Sequence, residues 1–189
     1  MFEDLLKRLA HGLFQAKIPY MVIGGQAVLL YGEPRLTKDI DITLGLLPAE
    51  ASAIISILPS MHMQPLVEDL EAFLKETFVL PVVDKKTNLR IDFIFSLSEY
   101  EKDAIKRAKM VSVQGTEVFY IGLEDLVIYK IIAGRPRDLE DIEYIIVKNE
   151  KMDYEFIRKI LHEFDVELSG DFKLRFDSLL KSLPKKRKK

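Results

Sequence analysis

Three aspartates and a glycine pair are the residues of this 189-residue chain whose types and spacing could carry out chemistry. Asp39 and Asp41 lie two residues apart and alternate with isoleucines, Gly24 and Gly25 precede them, and Asp92 lies in a second apolar run at 89–95. Carboxylate oxygens are the ligands that Mg²⁺ prefers, and Mg²⁺ shares its coordination shell with substrate phosphates. The pattern therefore predicts a metal-dependent site that handles a nucleoside triphosphate.

The aspartates at 39 and 41 are expected to share one face of a strand. Side chains alternate faces along a strand, so Ile40 and Ile42 point to the opposite, core-facing side. The two carboxylates then lie about 7 Å apart, since each residue rises about 3.3 Å. Their repulsion is about 2 kcal/mol at an effective dielectric constant of about 20, and Asp92 on a neighbouring strand about 5 Å away would add to it. A divalent cation removes this penalty.

Two other interpretations apply to an Asp-x-Asp pair. Such residues can be solvated side chains of an edge strand, but the interleaved isoleucines, the upstream glycines and Asp92 together favour a site. An EF-hand calcium loop would begin at Asp39 and end at Glu50. That loop requires glycine at its sixth position, which here is Leu44, so the sequence argues against it.

The elements that would position these residues are strands followed by a helical carboxy-terminal half, which is typical of an α+β fold. Apolar periodicity and capping residues give their bounds, and residues 61–64 remain ambiguous. Helices are predicted at 2–16, 26–31, 48–58, 67–75, 98–109, 123–133, 136–147, 154–164 and 172–183, and strands at 20–23, 39–44, 77–83, 89–95, 110–113 and 117–120.

These features resemble the nucleotidyltransferase superfamily, whose fold is shared with DNA polymerase beta. Its signature is a hydrophobic strand that ends in two glycines, a helix, Asp-x-Asp and a later single Asp, as found here at 20–25, Asp39-Ile40-Asp41 and Asp92. The runs 32–39 and 123–141 are similar to small prokaryotic members such as AbiEii-type toxins and related stand-alone domains. The resemblance implies a mixed sheet flanked by helices, with a nucleotidyltransferase core at 1–122, a helical part at 123–183 packed on it and a basic tail at 184–189.

The resemblance also implies an activity and roles for particular residues. A nucleoside monophosphate would pass from a nucleoside triphosphate such as ATP to a hydroxyl of RNA (tRNA), of a protein or of a small molecule. The catalytic residues Asp39, Asp41 and Asp92 would hold two Mg²⁺ ions, or Mn²⁺ in their place. Gln26 departs from the family, which often has a small or hydroxylated residue there. The nucleotide-binding residues would be Gly24, Gly25, Arg35, Lys38, Lys130 and Asp138.

Composition limits the remaining classes. The absence of cysteine excludes disulfides and thiolate metal sites, and no Walker or Gly-x-Gly-x-x-Gly pattern occurs. We expect a cytoplasmic protein without a membrane span, because no apolar run reaches 18 residues and the first helix is acidic. The net charge is −2, yet six of the last nine residues are basic.

The basic tail leaves two interpretations open. Lys185 through Lys189 could contact an RNA acceptor, or could only keep the chain soluble. The likeness to toxins adds a cognate antitoxin as an expected partner. The alternative to an enzyme is a non-catalytic member of the same fold that binds RNA or protein.

Overall fold

The computed structural model describes residues 2–34, 37 and 39–183. The chain divides into two compact units. The first unit contains Met1–Ala27 and Arg35–Gly122, and the second contains Val28–Pro34 and Leu123–Lys189. None of the helices in the described part of the chain combines the length and the apolar content that crossing a bilayer requires.

A seven-stranded mixed sheet forms the centre of the first unit, within the residues that the structure describes. Its strand order is β3-β4-β5-β2-β1-β7-β6. β2 pairs with β5 and β1 pairs with β7 in parallel, and the other neighbours are antiparallel. The predicted α+β class with a mixed sheet is confirmed. The strands are β1 Tyr20–Val22, β2 Asp39–Leu44, β3 Met63–Pro65, β4 Val79–Asp84, β5 Arg90–Phe95, β6 Lys109–Val113 and β7 Thr116–Tyr120.

Helices accompany this sheet and bury one face of it. Helix α1 places leucines at helical spacing toward the core, and Leu5, Leu9 and Leu13 are buried there. The inward side chains of the central strands, such as Ile42 and Phe93, are fully buried as well. The α-helices that start in the first unit are α1 Phe2–Gln15, α2 Gly24–Tyr31, α3 Ala51–Ile57, α4 Leu70–Thr77 and α5 Glu99–Lys106.

The second unit is helical. Its four described carboxy-terminal helices pack on one another, with the apolar α6 largely buried. Asp153 caps α8, because its carboxylate accepts a hydrogen bond from the Phe156 amide at 2.9 Å. Lys148 and Asn149 hold residues 28–34 by donating to the carbonyls of Gly32 and Tyr31, each at 2.8 Å. The helices are α6 Leu123–Ala133, α7 Pro136–Lys148, α8 Tyr154–Leu168 and α9 Phe172–Ser182.

Several predicted bounds in the first unit differ from the structure by a few residues, and two of these regions have a clear physical reason. The ambiguous run at 61–64 contributes to strand β3, whose Met63 pairs with Asp84. The helix predicted at 67–75 begins only at Leu70, because the carboxylate of Asp69 accepts from the Ala72 amide and fixes the start. Phe78, with a left-handed φ of 56°, then ends this helix before β4.

A buried ion pair joins α1 to the end of β4. Both oxygens of the fully buried Asp84 carboxylate accept from the Arg8 guanidinium at 2.8 Å. The Thr87 hydroxyl and amide also donate to this carboxylate, at 2.6 Å and 3.0 Å. Burial alone would raise the pKa of Asp84, but the hydrogen bonds from Arg8 and Thr87 outweigh it and hold the pKa below its usual value.

Asp84→Ala is expected to lower the free energy of unfolding near neutral pH by about 2 kcal/mol, because it leaves the Arg8 guanidinium and the Thr87 hydroxyl and amide without their acceptor. The lowered pKa makes this contribution complete above the pKa of the unfolded chain and lost as the pH falls through the folded value. Urea unfolding of wild type and variant should therefore converge as the pH is lowered from about 4 toward about 2. A difference that stays constant over that range would contradict the assignment.

Candidate active site

Asp39, Asp41 and Asp92 lie on one face of two adjacent strands. The predicted alternation along β2 is confirmed, because Ile40 and Ile42 are fully buried on the opposite face while Asp39 is exposed. β2 and β5 run parallel with Asp41 directly beside Asp92, and adjacent strands are about 4.8 Å apart. Registered residues of neighbouring strands project to the same face, so the three carboxylates share one patch of the sheet.

The turn after β1 brings the backbone against the Asp41 side chain. The Ile23 amide donates to the Asp41 carbonyl at 2.9 Å, and Gly24 follows with a left-handed φ of 63°. A Cβ atom on Gly24 would lie 2.0 Å from Asp41 Oδ2, so only glycine fits here. Since Gly24 opens helix α2, amides that favour anions lie beside a carboxylate that would hold a cation.

Arg90 lies among the acidic residues and was not predicted. Its Nε atom donates to Asp92 Oδ1 at 2.9 Å and to Oδ2 at 3.1 Å. The hydrogen bond to Asp92 raises the pKa of the Arg90 guanidinium, and the charges of Asp39 and Asp41 add to this effect. The available signal was strand alternation, because Arg90 precedes Asp92 by two residues and must share its face.

Gln26 and Thr37 form a second contact near the glycine turn. Gln26 is buried, and its amide nitrogen donates to the Thr37 hydroxyl. Gln26, the departure from the family pattern, therefore ties the start of α2 to the segment that precedes Asp39. The predicted phosphate-binding residues Arg35 and Lys38 lie outside the described residues.

The predicted nucleotide-binding residues Lys130 and Asp138 lie in the second unit as parts of a buried ion cluster. Lys130 Nζ is 2.9 Å from Asp138 Oδ1 and 2.7 Å from Asp141 Oδ2, and all three side chains are at most 7% exposed. Burial would raise the pKa of Asp138, but hydrogen bonds from Arg135 and Lys130 hold it below its usual value. Nucleotide binding by Lys130 and Asp138 stays a prediction.

Lys130→Met is expected to lower the free energy of unfolding by about 3 kcal/mol, because it leaves two buried carboxylates without their shared cation. Chemical denaturation would measure the loss. Lys159→Met, an exposed lysine on α8, is the matched control and should change stability little. Equal stability of the two variants would show that the cluster is not a stabilising contact.

Asp39, Asp41 and Asp92 form what we call the acidic face, whose carboxylate oxygens are suitable ligands for a divalent metal. Within residues 2–34, 37 and 39–183, no three His, Cys, Asp or Glu side chains stand close enough together to hold a metal ion as they are. Asp39 and Asp41 are two positions apart along the strand, and both oxygens of Asp92 accept hydrogen bonds from Arg90. The donor set nevertheless suits hard Mg²⁺, and the Asp41 carboxylate occupies the space that a side chain on Gly24 would fill, directly beside the glycine turn.

This mixed sheet, with paired carboxylates beside a glycine turn, is the arrangement that the resemblance to nucleotidyltransferases implies. A family model described as "Nucleotidyltransferase of unknown function (DUF6036)" matches residues 2–179. The chain therefore belongs to this family, and the predicted superfamily is confirmed. The finer likeness to AbiEii-type toxins stays a prediction. No curated protein sequence matches the chain.

Solved structures with a similar fold include antibiotic-modifying enzymes. The antibiotic-resistance factor ANT(2'')-Ia in solution has a TM-score of 0.62 at 11% identity, over 88% of this chain and 92% of that one. Its complex with adenylyl-2"-tobramycin has a TM-score of 0.55 at 15% identity, over 86% and 95%. The lincosamide antibiotic adenylyltransferase LnuA, with lincomycin bound, has a TM-score of 0.54 at 15% identity, over 77% and 97%. These likenesses establish the fold.

Proposed function

We propose that this protein transfers a nucleoside monophosphate from a nucleoside triphosphate to a hydroxyl group, in a reaction that depends on Mg²⁺ or Mn²⁺. The observation that supports it best is the register that sets Asp92 beside Asp41, on the face where Gly24 meets the Asp41 carboxylate. Three carboxylates within about 7 Å repel one another by about 2 kcal/mol or more, which folding alone does not require. A cation that accompanies a polyphosphate would offset that repulsion.

Each residue of the face has a proposed role. Asp39 and Asp41 would hold the metal, with Asp92 as a further ligand. The metal, when bound, supplies charge neutralisation to the triphosphate. Asp92 would accept the proton of the acceptor hydroxyl, whose oxygen attacks the α-phosphorus as the bond to pyrophosphate breaks. Gly24 and Gly25 carry no side chains, so their backbone can approach the phosphates.

The donor and the acceptor are proposed from chemistry and from the solved neighbours. One neighbour is called an adenylyltransferase and another holds adenylyl-2"-tobramycin, so we propose ATP as the donor and a hydroxyl-bearing small molecule as the acceptor. A net charge of −2 is compatible with a cationic acceptor. RNA, reached through the tail at 185–189, and a toxin role with a cognate antitoxin compete with this proposal. That tail lies outside the described residues.

The test is transfer of label from each of four α-labelled nucleoside triphosphates, with Mg²⁺ or Mn²⁺, to three acceptor pools. The pools are small-molecule hydroxyl compounds including aminoglycosides, total RNA, and cellular protein. Labelled product in any pool that requires Asp41 supports the enzyme, and mass spectrometry of the product names the acceptor. The absence of labelled product from every combination would overturn the proposal.

A further inference from the structure

Arg90 contacts the carboxylate of Asp92, which a metal ion at this face would need as a ligand. Asp39 and Arg90 are registered across β2 and β5, two pairs before Asp41 and Asp92. The Arg90 side chain is 54% exposed, whereas that of Asp92 is 16% exposed. The Nε atom of Arg90 donates to both Asp92 oxygens, which are the atoms that a cation at this face would use.

The arrangement gives the acidic face a counter-ion of its own. Three like charges on one patch require a compensating positive charge, and the guanidinium at position 90 supplies it from the same strand as Asp92. A guanidinium held against both oxygens of Asp92 repels a divalent cation and takes up lone pairs that the cation would use, so the two compete for this carboxylate. Arginine also binds phosphate oxygens through its fork of N–H groups, so phosphate is a natural second partner once the carboxylate is given up.

We propose that Arg90 is a tethered counter-ion that competes with the divalent metal for Asp92 and moves to the phosphates of the bound nucleotide. The inference rests on the proposed function, because it assumes that a metal and a nucleoside triphosphate meet at this face. Its consequence is coupling: the metal binds weakly to the protein alone and more tightly when a nucleotide accepts the guanidinium. Linkage makes the effect reciprocal, so metal also tightens nucleotide binding.

The experiment measures Mn²⁺ affinity of the full chain by electron paramagnetic resonance, with and without a non-hydrolysable ATP analogue. Without nucleotide, Arg90→Gln is expected to bind Mn²⁺ about tenfold more tightly than wild type, within the range of about 5 to 150-fold typical of coupled sites. The analogue should raise the Mn²⁺ affinity of wild type by a larger factor than that of Arg90→Gln, because its phosphate oxygens would bind the metal in both proteins but would draw a competing guanidinium away only in wild type. Arg90→Lys, which keeps the charge but not the fork, should lie between them.

Controls separate this inference from the proposed function. Lys75→Gln removes one positive charge from an exposed pair with Glu71 on α4 and should behave as wild type. If Asp41→Asn binds Mn²⁺ as wild type does, or if wild type binds none even with the analogue, the proposed metal site fails. If wild type binds Mn²⁺ through Asp41 but Arg90→Gln binds it equally or more weakly, only the role of Arg90 as a competitor fails. Thermal unfolding of each variant checks that the chain is folded.

Discussion

Asp41→Asn is expected to lower the rate of nucleotidyl transfer about 10³-fold, since the loss of one carboxylate at a metal site removes about 4 kcal/mol of transition-state stabilisation. Asp41 is the central member of the acidic face, with Asp39 two residues before it and Asp92 beside it. Its side chain also lies against the Gly24 turn. Initial rates with labelled nucleoside triphosphate and the acceptor found by the labelling assay would measure the effect.

The same substitution should leave the fold intact. Asparagine is nearly isosteric with aspartate, and removing one of three like charges relieves repulsion rather than adding it. Asp103→Asn is the matched control, because Asp103 is a half-exposed aspartate paired with Lys106 on α5. It should retain full activity. An Asp41→Asn protein that is folded and as active as the control would refute the placement of the site.

Gly24→Ala is expected to lower activity about 100-fold, because a displacement of the reacting groups by about 1 Å has that effect. The new Cβ would lie 2.0 Å from Asp41 Oδ2, so the carboxylate or the turn must move. The left-handed φ of 63° adds a stability loss of about 1–2 kcal/mol for a residue with a side chain. Transfer assays and thermal unfolding would record the two effects separately.

The chain provides a control that isolates the contact from the backbone strain. Gly115 also has a left-handed φ, of 81°, but nothing lies within 4 Å of a Cβ built on it. Gly115→Ala should therefore show a similar loss of stability and no loss of activity. If both variants lose activity equally, or if Gly24→Ala loses none, the contact between Gly24 and Asp41 does not position the carboxylate.

Much of the fold could be predicted because strand alternation and helical apolar spacing are visible in short stretches of sequence. Strand β2 at Asp39–Leu44 and helix α6 at Leu123–Ala133 have the predicted bounds, because alternation and unbroken apolar spacing are visible in sequence. Helix α2 begins at Gly24, two residues before the prediction. The sequence favoured glycines outside the helix, since glycine weakens helix interiors, but Gly24 lies against Asp41 at the first residue of the helix.

The candidate site was only partly predictable for a related reason. Alternation placed Asp39 and Asp41 on one face, but the pairing of β2 with β5 depends on contacts between residues about fifty positions apart. The ion cluster of Lys130 was also hidden, because helical spacing shows which residues share a face but not which charges meet across helices. The place of Arg90 could be predicted from alternation, because it precedes Asp92 by two residues on the same strand.

The alternation of acids and isoleucines along β2 makes the correct register of this strand a condition of both folding and the proposed activity. A misregistered β2, shifted by one residue, would turn Asp39 and Asp41 into the core and expose Ile40 and Ile42 to water. Such a molecule could not complete its sheet, so a correctly folded population carries its acidic face in place. Heat-inactivated preparations should therefore lose their structure in step with their activity, without a long-lived folded species that is inactive.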